Sequence, residues 1–269
     1  MRSSHVPIHR FLAILVAAAG AFAAAPSRGG SLGHADLVPY LSSGRILTGA
    51  HSDLDGITVE SQQVFGYDFG EEPSDPWFIG DPGFNNGSNF TANFPNAGAL
   101  PASTVLSIAV AAGSYGPLHY WDGTGPVDFT PVGGGVEINL NKGSNNLRIG
   151  ATTLSGSLSV GTTTNAGRIH QHAVTSIGTG GSGSGFASLG APDGLYAFGL
   201  VLMAGGFTSD PVYVVYNVNM SEEIHDEGME WYEVHAVPEP STMALTAAGL
   251  LLIAGLRRAT GPLLRRRTV

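Results

Sequence analysis

The chain has 269 residues, no cysteine and a formal net charge of −9. The lack of cysteine excludes disulfides, a thiolate nucleophile and thiolate metal sites. The charge is uneven: residues 36–236 carry four basic residues (Arg45, Lys142, Arg148 and Arg168) against twenty acids, or −16 with histidines neutral, which repels phosphate backbones, argues against nucleic acid and favours cations as partners.

The N-terminus carries Arg2 and Arg10, then the apolar run Phe11 to Ala19, then small residues from Gly20 to Ala25. That order predicts a secretory signal peptide over 1–25, with Ala21 and Ala23 in the A-x-A cleavage pattern, and a short linker over 26–35. An uncleaved N-terminal anchor is the alternative, and the apolar run is short for a span of about 20 residues.

The middle, 36–236, is expected to be one extracytoplasmic domain. Its 39 glycines and 16 prolines, counted over the whole chain, are spread between short apolar runs, a turn-rich β composition. Strands are expected at 45–48, 57–67, 104–111, 136–140, 154–160, 168–177, 195–203 and 212–218, with no alternating helices. The expected fold class is therefore all-β, an antiparallel β-sandwich of jelly-roll-like type. Residues 68–96 form a long Pro-, Gly- and aromatic-rich loop, expected to be functional or packed over the core. Near the end, Ser221 can N-cap a helix whose first turn holds Glu222 and Glu223, with Ile224 and Trp231 on one face and Gly228 weakening it.

The tail reads Val237-Pro238-Glu239-Pro240-Ser241, then apolar 243–256, then Arg257, Arg258, Arg265, Arg266 and Arg267. The prolines end any preceding element, the apolar stretch suits a membrane helix, and the arginines hold its far end on the cytoplasmic side. This order resembles the PEP-CTERM sorting signal of Gram-negative bacteria. The resemblance covers 237–269 and implies recognition by a membrane-embedded exosortase, processing near the Pro-Glu-Pro element, and release or attachment at the cell surface or extracellular matrix. It implies the secretion machinery and the inner membrane as partners, and extracellular polysaccharide as the surroundings. A plain C-terminal anchor would give the same outward orientation.

The strongest chemical candidate in the middle is His170-Gln171-His172. On a strand, residues two apart share a face, so the two imidazoles can meet one zinc ion if a third ligand arrives from elsewhere. The segments His34-Ala35-Asp36 and His51-Ser52-Asp53-Leu54-Asp55 offer that ligand, giving a candidate set of His170, His172, His51, Asp53 and His34. Solvated surface histidines are the alternative. Asp53-Leu54-Asp55-Gly56 also resembles the opening of a calcium loop, but lacks the bidentate Glu of an EF-hand. No G-x-S-x-G elbow is present, and no catalytic constellation emerges. The acids of 222–233 read as a solvated face. Trp77, Tyr120 and Trp121 are candidates for stacking on sugars, with core or loop packing as the alternative.

A fainter resemblance, to exported PEP-CTERM proteins under zinc control, rests on Gly33-His34-Ala35-Asp36, the histidine pair, Gly194-Leu195-Tyr196 and Ser209-Asp210-Pro211. The leading expectation is a non-enzymatic surface protein of structural or binding role. A zinc-binding surface protein and a polysaccharide-active enzyme are the other readings.

Overall fold

The structure, a computed structural model, describes residues 35–237 apart from 53–55, 72, 88–91, 93, 95–96, 153 and 183–184. The signal peptide, His34, Asp53, Pro238 to Ser241, the apolar tail stretch and the arginine cluster lie outside the described residues.

Two-residue turns, short apolar runs and glycine breaks give the described chain many short strands. In order they are β1 (Asp36–Ser42), β2 (Arg45–His51), β3 (Thr58–Val59), β4 (Val64–Phe69), β5 (Phe78–Ile79), β6 (Gly83–Asn85), β7 (Val105–Val110), β8 (His119–Trp121), β9 (Thr130–Pro131) and β10 (Val136–Lys142). They continue as β11 (Asn145–Ile149), β12 (Leu154–Ser155), β13 (Ser157–Thr162), β14 (His170–His172), β15 (Val174–Thr179), β16 (Ser188–Leu189), β17 (Gly194–Ala204), β18 (Phe207–Thr208) and β19 (Val212–Val218). One helix, α1 (Glu222–His235), follows.

The strands form three open sheets. The largest runs β13-β7-β17-β19-β4, with β8, β9 and β18 attached. A second runs β12-β11-β10-β15-β16 with β5 beside β15, and a third runs β14-β6-β1-β2-β3. The molecule is thus mostly β-sheet, as expected, in a form consistent with a sandwich. Two pairings depart from a purely antiparallel expectation: β4 lies parallel to β19, and β1 meets β6 in parallel at Leu37 and Phe84. Parallel neighbours need a long crossover, which the chain between β4 and β19 supplies.

β17 and β19 are apolar on both sides because both sides are covered. Along β19, Val212, Val214, Tyr216 and Val218 face the main core, while Tyr213 and Val215 face a second cluster under α1. β17 divides the same way: Tyr196, Phe198, Leu200 and Leu202 point into the main core, and Leu195 and Ala197 point toward α1. The main core also takes Leu37, Ile46 and Phe84 from the third sheet, and Ile138, Leu140, Leu147 and Ile177 from the second. All three sheets therefore share one interior.

α1 starts after Ser221 and buries His225, Gly228, Met229 and Tyr232. That spacing is one helical stripe, flanked by the half-buried Ile224 and Trp231. Because the stripe contains a histidine and a glycine, its amphipathicity is weak in the sequence. The loop expected over 68–96 contains β5 and β6, and its Phe84 and Phe94 are buried, so it is built into the fold rather than laid over it. Among the described residues, no helix is long and apolar enough to cross a membrane.

Gly228 lets the helix pack closely on the sheet. A Cβ there would lie 2.3 Å from Cδ1 of the fully buried Leu195. Replacing Gly228 with Ala improves helix propensity by about 1 kcal/mol but overpacks a closed contact at a cost of about 1–3 kcal/mol. Gly228→Ala should therefore lower the urea midpoint, with a net loss of about 1 kcal/mol, and a raised midpoint would show that α1 is not packed this closely.

Candidate metal centre

The histidine pair lies on β14, an edge strand of the third sheet. Asn86, buried against the segment before it, fixes the entry to that strand: its Oδ1 accepts from the Ile169 amide at 2.6 Å, and its Nδ2 donates to the Gly167 carbonyl at 3.0 Å. Arg168 donates to the Asn86 carbonyl at 2.8 Å. β14 then pairs with β6, with His170 opposite Asn85 and His172 opposite Gly83. Alternation along the strand puts both imidazoles on the outer face of the sheet, while Phe84 points inward.

β6 lies between β14 and β1, so the next side chain along the row beyond Gly83 is Asp36. The glycine is what lets the two sides meet. A Cβ at Gly83 would overlap Asp36 Oδ1 and lie 2.7 Å from Cε1 of His172. With only hydrogen there, Asp36 Oδ1 lies 4.0 Å from His172 Nε2, and His170 Nε2 lies 3.3 Å from the same nitrogen. The three donor atoms of Asp36, His170 and His172 all fall within 4.8 Å of one another. Asp36 is buried and the two histidines are exposed, so the cluster opens to solvent on the imidazole side.

The ring of His172 is oriented by its other nitrogen. Nδ1 is 3.1 Å from the Gly80 carbonyl oxygen, which can only accept, so Nδ1 carries a hydrogen and Nε2 is the nitrogen that faces His170 and Asp36. The Asp81 carboxylate stands 3.8 Å from the same Nδ1. A hydrogen-bonded second nitrogen is the usual support of a metal-ligating histidine. Tetrahedral zinc, with ligands about 2.0–2.1 Å away, sets neighbouring donors about 3.3–3.4 Å apart. The His170–His172 separation already has that value, and Asp36 needs to close by about 0.7 Å. Two imidazoles and one carboxylate suit zinc, nickel or copper better than calcium or magnesium.

Beneath the cluster, Tyr67 donates from its hydroxyl to the Ala35 carbonyl at 2.8 Å, which ties down the residue before Asp36. Burial first, then the charge of Asp81, the neighbouring Tyr216 and the charge of Asp36, holds the Tyr67 phenol well above its ordinary range, so it stays a neutral donor.

The other sequence candidates take different places. His51 is opposite Asp36 across β1 and β2, but its Nδ1 is engaged with Thr58 Oγ1 at 2.8 Å and it is not among the three clustered donors. Of the segments expected to offer a third ligand, His34-Ala35-Asp36 is the one whose carboxylate comes near the pair. The aromatic candidates all make packing contacts. Trp121 is buried beside Phe129, Tyr120 lies tilted against Tyr196 and donates to the Asp193 carbonyl, and Trp77 packs over Gly190. An open hollow of about 430 Å³ beside Tyr120 is lined in part by Asp122 and Asp128.

A second cluster went unread in the sequence. Asp68 of β4 and Glu222 and His225 of α1 bring three donor atoms within 4.8 Å of one another. Glu222, Glu223, Asp226, Glu227 and Glu230 are exposed, as a solvated acidic face requires, and it is the buried His225 among them that the pattern did not reveal.

In comparisons with known proteins, no family model, no curated protein and no solved structure matches the chain.

Because Gly83 has no positive φ, alanine is tolerated by the main chain, and the nearest atoms its methyl group meets are those of Asp36 and His172. Gly83→Ala should weaken zinc binding at least about tenfold, the scale of a displaced ligand or its support, with an unchanged far-UV circular dichroism spectrum. Undiminished affinity would remove Asp36 from the ligand set.

Proposed function

We propose that the chain is an exported surface protein whose folded domain binds a divalent transition-metal ion, zinc foremost, through Asp36, His170 and His172. The observation that carries this reading is the His170–His172 contact at 3.3 Å with Asp36 at 4.0 Å, brought together across a strand whose intervening residue is a glycine. Solvated histidines have no need of such clearance, nor of a backbone carbonyl that aims one ring at the other. Three protein donors leave a fourth tetrahedral position for solvent or an exchangeable ligand, which suits capture or surface cross-linking.

The scaffold is read as a β-sandwich of jelly-roll-like type, a reading supported by open sheets that share one apolar interior. Export and sorting are supported by the sequence of the two ends: a signal-peptide pattern at 1–25, and Val237 to Ser241 followed by an apolar stretch and arginines, the order of a PEP-CTERM signal. Exosortase, the secretion machinery and the inner membrane are the implied partners, and the cell surface or matrix the destination. The strongly acidic domain suits that setting, since it attracts cations and is repelled by nucleic acid.

Two measurements test this reading. Calorimetric titration of the metal-free protein with zinc should show a site that His170→Ala/His172→Ala abolishes, and whose affinity falls on acidification because protons compete for the imidazoles. Identical heats for the two proteins would sink the metal assignment. For the tail, the intact mass of protein recovered from exosortase-bearing cells should lack Arg257 to Arg267, and recovery of the whole C-terminus would overturn the sorting assignment.

A further inference from the structure

The cluster beneath α1 is separate from the Asp36 site and is built to the same plan. Asp68 lies on β4, in register with Asn217 of β19. Glu222 opens α1, and His225, three residues later, lies on the same side of the helix. The rings and side chains of α1 crowd Gly66, where a Cβ would lie 2.4 Å from Met229 Sδ and 2.9 Å from both Cε1 and Nε2 of His225. A strand glycine again clears the space for an imidazole.

The tautomer follows from the far side of that ring. His225 Nε2 is 3.0 Å from the Val215 carbonyl oxygen and must donate to it. When the ring is neutral, its Nδ1 lone pair points toward Asp68, whose Oδ1 is 3.4 Å away. His225 is 1% exposed, and its Nδ1 makes no hydrogen bond. A lone pair and two carboxylates facing one another repel unless a positive charge stands between them.

That charge is a proton on Nδ1 or a cation. A charge-assisted N–H to carboxylate bond closes to about 2.7–2.9 Å. Donors around a tetrahedral ion stand about 3.3–3.4 Å apart, with the ion about 2.0–2.2 Å from each. The observed 3.4 Å has the second spacing. The buried lone pair, aimed into the cluster, is what distinguishes it from an ordinary acidic patch.

We propose that Asp68, Glu222 and His225 form a second divalent-cation site, which fastens α1 to β4. One imidazole and two carboxylates make a harder donor set than that of the Asp36 cluster, so the site takes manganese as well as zinc. Its ligands come from two elements far apart in sequence, so the ion acts as a clasp on the helix that immediately precedes Val237 and the tail. Glu222 is exposed, so the ion enters from the N-terminal end of α1.

The test uses the full-length chain carrying His170→Ala/His172→Ala, which removes the first site, stripped of metal and titrated with MnCl₂ and, separately, ZnCl₂. Loss of the free Mn²⁺ electron paramagnetic resonance signal should show one bound equivalent. Saturating metal, at about a hundredfold excess over Kd, should raise Tm by about 5–10 °C. Adding Glu222→Gln, an exposed change that keeps the helix, should weaken binding at least tenfold and erase the Tm rise, and Asp68→Asn should do the same. Absence of metal binding in the His170→Ala/His172→Ala protein overturns the proposal, as does binding that Glu222→Gln and Asp68→Asn leave unchanged. An imidazolium NMR signature for His225 at neutral pH that added metal does not alter identifies the proton as the bridging charge, which also overturns it. The two sites stand or fall separately: one equivalent in both the wild type and the doubly substituted chain supports the clasp and sinks the Asp36 site.

Discussion

The two-sided burial of β17 and β19 is the constraint on which the other elements depend, because strands apolar on both faces are stable only when both faces are covered. The inner face draws all three sheets into one core. The outer face needs a lid, and α1 supplies it with Met229 and Tyr232, beside Trp121 and Phe129. Tyr232 stacks edge-on against Phe129 with ring centroids 4.9 Å apart, and its neighbour Trp231 lies 5.4 Å from the same ring. The close seat at Gly228 and the burial of His225 both follow from covering that face.

The two polar clusters solve one problem in one way. At each proposed site the imidazole is held by its second nitrogen and finds space beside a carboxylate, through a backbone carbonyl and a strand glycine. For His172 these are the Gly80 carbonyl and Gly83, and for His225 the Val215 carbonyl and Gly66. The clusters differ in burial. The first has two exposed histidines and suits exchange with solvent, whereas the second has its histidine in the interior and suits a structural role.

The electrostatic background favours both. With four basic residues against twenty acids over 36–236, the domain gathers cations around itself. The basic residues are already committed: Arg45 pairs with Asp210, Arg148 with Glu137, Arg168 donates to the Asn86 carbonyl and Lys142 to the His172 carbonyl. Lys142 and Arg168 thus steady the two ends of the short histidine strand by backbone contacts.

The sequence by itself determined what depends on near neighbours. The apolar runs at 136–140, 195–203 and 212–218 became β10, β17 and β19 with small changes at their ends, and Ser221 with its two glutamates marked the start of α1. The sharing of a face by His170 and His172 was legible as well, because the two-residue period of a strand is a local property. The short strands β1 and β6 were not legible, since a few apolar residues among prolines and glycines carry no period. Nor was the split of 57–67 into β3 and β4, which a turn between them imposes. Only the tertiary structure decided which carboxylate meets each histidine. Asp36 reaches His172 across β6 because Gly83 lacks a side chain, and Asp68 reaches His225 because α1 folds back onto β4. Both meetings depend on strand register and on helix docking, which are set by how the whole core packs, and a side chain's neighbours in sequence contain no record of them.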